Sequence, residues 1–512
     1  MEVALGLASL GALAVLAPAP GCKGSRPEPE QTLASMDAEG PPHTPNCRSW
    51  ADLDHGSLPA LPEGAHVPAF DEVWKTVANK HFDPTLGCLD WPALRETYGA
   101  KVAEAGDDTA AAYAAINELL GLLGQSHLAA TPPAADPIDA TPQGPAVVPI
   151  AVRWLPVEPK SEERAVVIVD AELDGHDSGL PRGAVLTRIG DEPVATITER
   201  VSARIHEHGG SQAEVAFTIA RSVGVMLGCP ENGTKSLTFT ADGEERTVDA
   251  PCFVPEGERI SLGNLRDLPT RVSWRMVGES SPSPAPDEGG EAGETGGPPE
   301  PAPAPDSNSN AKIGYLAFNY WMLPMVERIR EGIKQMRASG MEALILDLRG
   351  NPGGVGAMSV PVARLFVDRP VSLGRLQMRD FNQEFKVDAN PDAFAGPIVV
   401  LVDEGTASTS EIFALGMADV GRVTVIGAGP SAGMALPSLI ETLPDGGLIQ
   451  YVVGDYHSTK GTAAEGEGVP LDARVEESRV DYAAGRDPVY DAAVAHLEAA
   501  LRGTPDTPQL GD

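Results

Sequence analysis

The chain has 512 residues, 42% of them hydrophobic and 5% aromatic, enough apolar material for roughly two to four domains and a sizeable core. Its 73 Asp and Glu against 38 Lys and Arg give a formal net charge of −35. That sign argues against nucleic acid and anionic membrane surfaces as partners, because a phosphate field repels it.

Val3 to Leu16 is an apolar run too short to span a membrane, and small residues follow it up to Cys22. This reads as an export signal over 1–22. Ala17 to Gly21 before Cys22 resemble a bacterial lipoprotein cleavage site, after which the Cys carries lipid. A plain cleaved signal with Cys22 incidental is the alternative. Residues 23–63, rich in Pro, Glu, Ser and Gly, read as a disordered tether. Export is compatible with two disulfides among Cys47, Cys88, Cys229 and Cys252. Nearest neighbours pair as Cys47–Cys88 and Cys229–Cys252, although three pairings are open. No CxxC or His spacing suggests a metal, and no cofactor is implied.

A helical unit is expected over 64–135. Phe70, Val73, Trp74 and Val77 form one stripe, and Trp91, Leu94 and Tyr98 a second. Asp108-Thr109 is the cap region of a third helix carrying Ala112, Ile116, Leu119, Leu120 and Leu123, and the unit ends at Gly124-Gln125-Ser126-His127. From 136 to 275 the pattern changes to short β-branched strands: Val147 to Trp154, Ala165 to Val169, Val185 to Ile189, and Val215 to Ile219. Gly179 to Leu186 followed by Ile189 to Val194, with a helix from about Thr198, resembles a PDZ-like module. A plain β-rich spacer domain is the alternative. Residues 278–311 are almost all Gly, Pro, Glu, Ser, Ala and Asp, a disordered insert between strands Val272 to Val277 and Ile313 to Phe318.

The block 312–500 alternates helices (Met325 to Met336, Ser359 to Val367, Ser410 to Val420) with strands (Ala343 to Leu348, Ile398 to Val402, Val423 to Ile426); a flexible tail follows at 501–512. The fold class is therefore α/β multidomain, its last domain a mainly parallel sheet flanked by helices. Sites in such sheets collect at the carboxyl ends of strands.

Two segments fall at such ends. Asp347-Leu348-Arg349-Gly350-Asn351-Pro352-Gly353-Gly354 gives a turn whose N–H groups can face a ligand, or an ordinary tight turn. Gly405-Thr406-Ala407-Ser408-Thr409-Ser410-Glu411 places Ser408 where its hydroxyl can leave the sheet edge, or where it merely caps a helix with Glu411. Gln125-Ser126-His127 supplies a His at a polar helix end, a place where a structural His is also common.

Together these segments, with Phe70-Asp71-Glu72-Val73-Trp74 and Glu465-Gly466-Glu467-Gly468-Val469, resemble the C-terminal-processing and tricorn-core family of serine peptidases over about 65–500. That family uses either a Ser–Lys pair or a Ser–His pair supported by a second Ser and a Glu. At the Lys position of the relevant turn, Gly429-Pro430-Ser431-Ala432-Gly433-Met434-Ala435, stands Met434, or Gly433 if the alignment slips by one, and neither accepts a proton. The resemblance therefore implies the Ser–His (tricorn-like) branch: Ser408 as nucleophile, His127 as general base, and Ser126 and Glu465 as its support. It also implies the Thr409 N–H with Gly353 or Gly354 as oxyanion donors. Glu467 is a rival to Glu465, and Lys460 is the only Lys near this end.

The expected activity is that of an exported serine endopeptidase of the bacterial cell envelope, periplasmic or lipid-anchored through Cys22, or secreted, acting on protein or peptide substrates. The alternative is a non-catalytic peptide- or hydrophobic-ligand-binding protein on a peptidase scaffold.

Overall fold

The computed structural model describes residues 47–133, 144–207, 210–262, 265–278 and 312–503. The export signal with Cys22, the tether up to residue 46, the insert from 279 to 311 and the tail from 504 lie outside them.

The tether expected over 23–63 does not extend past residue 46. Trp50 is buried and its indole N–H donates to the Leu89 carbonyl, while Arg95 donates to the Pro59 carbonyl. Cys47 is bonded to Cys88, and Leu53, Leu58 and Leu61 pack on the same core. Local composition hides this, because each apolar residue finds its partner some 30 or more positions away.

Three helices follow: α1 (Val67–Lys80), α2 (Trp91–Glu104) and α3 (Thr109–Gly121). Asp90 and Asp108 cap the second and third by accepting from Ala93 N and Ala111 N. The indoles of Trp74 and Trp91 stack, and each donates to the other's backbone carbonyl, at 2.9 and 3.1 Å. This core is shared with the far end of the chain. Strand Ala129–Thr131 pairs with Leu448–Val452, which pairs with Ser438–Thr442, and Ile449, Tyr451 and Val452 pack against the helices.

In the next region an antiparallel sheet runs in the order 244–251, 234–241, 185–189, 164–170, 151–156. Two helices pack on it, α4 (Val194–Glu207) and α5 (Gln212–Met226), and Cys229 is bonded to Cys252. Val215 to Ile219, expected as a strand, lies inside α5. The run is buried at Val215, Ile219 and Val223, a spacing of four, and Ser211 caps the helix by accepting from Glu214 N. A five-residue apolar run cannot by itself separate strand from buried helix; the cap was the discriminating signal.

The last block is built on a six-stranded sheet, ordered 272–276, 313–318, 343–347, 398–402, 424–427, 473–474. The first pair is antiparallel and every later pair is parallel. Side chains alternate between two cores. Leu344, Leu346, Val400 and Val402 face α6 (Leu323–Ala338), α7 (Ser359–Ala363) and α8 (Thr409–Asp419). Ala343, Ile345, Val399 and Leu401 face a C-terminal helix over Pro488–Leu501. The helix expected over Ser359 to Val367 ends at Ala363.

Arg153, on strand Ala151–Pro156, joins the antiparallel sheet to this block. Its guanidinium lies 2.6 Å from Glu404, 2.6 Å from Glu477 and 3.4 Å from Asp403, all buried or nearly so. Arg153→Ala leaves three carboxylates without their cation and is expected to cost about 3–5 kcal/mol. A urea titration should show a lower midpoint at unchanged slope. A loss under about 1 kcal/mol would mean that water replaces the cation.

Candidate active site

The loops 348–354 and 403–408 leave neighbouring parallel strands at their carboxyl ends. Asp403 ties them together: its Oδ1 accepts from Gly350 N at 2.8 Å and Gly405 N at 2.9 Å. Burial pushes its carboxyl up to about 6, against the pull of Arg153. Thr406 Oγ1 adds a bond to the Leu348 carbonyl, and Ala407 N one to the Asn351 carbonyl.

Ser408 sits on the turn between strand Ile398–Val402 and α8 at φ 54°, ψ −119°, a conformation costly for a residue with a Cβ. Its N–H donates to the Met434 carbonyl at 2.9 Å and to Glu411 Oε2 at 3.1 Å. Its Oγ is buried with no hydrogen-bond partner among the described residues, so the hydroxyl does not cap the helix. Thr409 occupies the first helical position, where the N–H has no acceptor within the helix.

The two glycines proposed as oxyanion donors differ. Gly353 N donates to Asn351 Oδ1 at 3.0 Å and is thereby engaged. The bonds around Gly354, from Trp321 N to the Gly353 carbonyl and from Val355 N to the Trp321 carbonyl, leave the Gly354 N–H out. Gly353 matters through its missing side chain. At φ 96° it lies so close to the Ser408 turn that a Cβ would fall 2.7 Å from Ser408 Cβ and 3.0 Å from Thr409 N.

The His127 turn comes in from the helical unit. His127 is fully buried at φ 58°. Its Nδ1 lies 2.7 Å from Ser126 Oγ, which donates to Glu465 Oε2 at 3.0 Å. Ser126 N donates to Glu465 Oε1 at 2.9 Å, and Ala435 N to Oε2 at 2.8 Å. Burial raises Glu465 to about 7, with Asp455 adding to the push and the Ser126 and Ala435 donors opposing it. Burial also lowers His127 to about 4, so the imidazole is neutral at pH 7.

Ser126, His127 and Glu465 thus form one hydrogen-bonded chain. His127 Nε2 is buried without a partner, as is Ser408 Oγ; the two are not hydrogen-bonded to each other. The Ser408 turn and the Glu465–Ser126–His127 chain meet on adjacent residues of the 431–435 turn, since Ser408 N bonds Met434 O and Glu465 bonds Ala435 N. Met434 itself is buried against Ala407, Ala432 and Phe217 of α5. Nothing local in the sequence marks Phe217, since its segment reads as a strand. Glu467 is exposed, and Lys460 pairs with Asp419 at the far end of α8 from Ser408. No His, Cys, Asp and Glu group suited to a metal occurs among the described residues.

Two family models match the chain: Peptidase family S41 over residues 312–475 and the Tricorn protease C1 domain over residues 68–121. The first segment contains Ser408, Thr409, Glu465 and both glycines; Ser126 and His127 lie outside both. The carboxyl-terminal-processing protease of Picosynechococcus sp. is 30% identical over 172 residues, 34% of this chain and 41% of that protein. That of Synechocystis sp. is 30% identical over 199 residues, 38% of this chain and 46% of the other. The chain therefore spans less than half the length of these curated relatives. Among solved structures, the photosystem II D1 C-terminal processing protease superposes with a TM-score of 0.51 at 20% identity, over 82% of this chain and 95% of that one. Mature CPAF gives 0.54 at 14% identity, over 86% and 98%. At these identities the likeness speaks for the fold alone.

Gly353→Ala is expected to displace the Ser408 turn. Labelling of the folded variant by a fluorophosphonate should fall at least about 100-fold, the scale of a 1 Å misplacement. Unchanged labelling would show that the loop gives way.

Proposed function

We propose that this chain, a member of peptidase family S41 through residues 312–475, is an exported serine endopeptidase that cleaves protein or peptide substrates through an acyl-enzyme on Ser408. The observation that carries the reading is the Glu465–Ser126–His127 chain, which ends on a buried, unpartnered Nε2, together with a strained Ser408 whose Oγ is equally unpartnered and whose N–H bonds the Met434 carbonyl, next to the Ala435 N–H that Glu465 accepts.

The direction of that chain sets the chemistry. With Glu465 ionised, Ser126 Oγ donates to Oε2 and accepts from His127 Nδ1–H, so Nε2 carries the lone pair. His127 then takes the Ser408 proton as Oγ attacks the scissile carbonyl carbon, and the imidazolium returns it to the leaving amine. Water, deprotonated by the same Nε2, attacks the acyl carbon; the acyl–Oγ bond breaks, the imidazolium returns that proton to Ser408 Oγ, and the acid product leaves. Thr409 N–H and Gly354 N–H are the candidate donors to the oxyanion; Gly353 N–H is spent on Asn351. With Glu465 protonated the chain reverses. The carboxyl donates to Ser126 Oγ, Ser126 donates to Nδ1, and the proton on Nε2 blocks base catalysis.

Two disulfides fit an oxidising compartment and so support export, with Cys22 the candidate lipid-bearing residue. No described helix is long and apolar enough to cross a membrane. The antiparallel sheet of residues 151–251 is read as the PDZ-like module. Its edge strand Glu244–Pro251 is largely exposed and offers backbone for strand addition by an extended peptide.

Ser408→Ala should abolish both cleavage of an unfolded protein and fluorophosphonate labelling; a variant that still cleaves would sink the reading. Absence of labelling in the folded wild type would favour the binding-protein alternative. His127→Ala should lower kcat by about 10²–10⁴-fold. Because Glu465 must be ionised and titrates near 7, kcat/KM should fall as pH drops through about 7. A profile flat from pH 8 to 5.5 would remove Glu465 from the relay.

A further inference from the structure

The 431–435 turn presents three successive N–H groups to two carboxylates, the fully buried Glu411 and the half-buried Glu465. Gly433 N donates to Glu411 Oε1 at 2.8 Å, Met434 N to Glu411 Oε2 at 2.9 Å, and Ala435 N to Glu465 Oε2 at 2.8 Å. Each carboxylate also holds one half of the candidate machinery. Glu411 accepts from Ser408 N at 3.1 Å, and Glu465 from the N–H and O–H of Ser126. Ser431 closes the other end of the turn. Its Oγ donates to Glu411 Oε1 at 2.6 Å and accepts from Val469 N at 2.7 Å, four residues beyond Glu465. Glu411 is fully buried, and no cation among the described residues pairs with it.

Four donors converge on Glu411, far more than a helix-start carboxylate needs. A carboxylate has acceptor sites enough for all four; a neutral amide or acid must surrender at least one to a hydrogen. Three consecutive N–H groups on two anions also fix the turn's rotation, so a shift at either carboxylate is passed to the other through one rigid stretch of backbone.

We propose that the 431–435 turn is a positioning strut. Glu411 acts as a positioning residue that locks the Ser408 turn to the Glu465–Ser126–His127 chain, so that nucleophile and base are placed as one unit. The inference rests on the Ser–His reading above. It makes the two carboxylates a functional pair, both of which must be ionised. Burial raises each to about 7; the charge on Glu465 also raises Glu411, and Asp455 raises Glu465.

The test is a double-mutant cycle with Glu411→Gln and Glu465→Gln, reading kcat and KM on an unfolded protein and fluorophosphonate labelling, with thermal melts as the folding control. Each single variant should lower kcat about 10–100-fold with KM within about threefold, the scale for partners that orient a reacting group. The double variant should be no more than about threefold slower than the worse single one, because either loss already frees the strut. Multiplicative losses, or a folded Glu411→Gln with wild-type kcat, overturn the proposal. A second readout needs no variant. The wild-type labelling rate should fall below pH 7 with a slope of about two, and Glu411→Gln should reduce that slope to about one. A wild-type slope of one overturns the pairing even if Glu411→Gln fails to fold. Failure of the underlying reading looks different: Ser408→Ala or His127→Ala would then remain active.

Discussion

The hydrogen bonds from Ser126 to Glu465 cross 339 positions of sequence, and the rest of the structure is arranged so that they can form. Ser126 belongs to the helical unit and Glu465 to the last block. They meet because the two share one core, in which Tyr451, Ile449 and Val452 lie against α1 and α3 and Ala129–Thr131 pairs with Leu448–Val452. The stacked Trp74–Trp91 pair stiffens the helices behind that seam. His127, next in sequence to Ser126 and close before the joining strand, has little freedom once the seam is made.

The site is assembled from backbone N–H groups donated to buried carboxylates. Asp403 joins the two strand-end loops, Glu411 the nucleophile turn to the 431–435 turn, and Glu465 that turn to Ser126. All three carboxyls are pushed above their ordinary range, so desolvation outweighs the hydrogen bonds that favour the ion. The arrangement thus costs stability, which the surrounding apolar cores must offset. What it supplies is geometry: bonds to carboxylates are short and directional, and they hold Ser408 in a conformation it would not choose.

The legible parts of the sequence were those with a local signature. The parallel-sheet strands are apolar on both faces, so Ala343 to Asp347 and Ile398 to Val402 stand out as unbroken runs. Asp108 marks its helix start. Ser408 in its Gly405-to-Glu411 setting reads equally as a helix cap, and it is singled out, like Glu465, only through the resemblance; nothing local separates Glu465 from Glu467. What was not legible depends on distant partners. Trp50 looks like tether until Leu89 is placed beside it. Val215 to Ile219 looks like strand until the α5 cap is read. Gly353 looks like an oxyanion donor until Asn351 Oδ1 takes its N–H.

Met434 shows how one such substitution moves the chemistry. The resemblance places a lysine there in the Ser–Lys branch, where the side chain is the base. Here the side chain is buried against Phe217, Ala407 and Ala432, while its backbone does the bonding: the carbonyl takes the Ser408 N–H and the N–H goes to Glu411. A nearby ammonium would favour the ionised form of a buried carboxylate. With a thioether in its place no cation among the described residues pairs with Glu411 or Glu465, and burial raises each to about 7. The same dryness lowers His127 to about 4. On the Ser–His reading proposed above, the titration that matters then lies with the carboxylates behind the imidazole rather than with an amine, and the working pH of the site would follow Glu465 rather than the histidine itself.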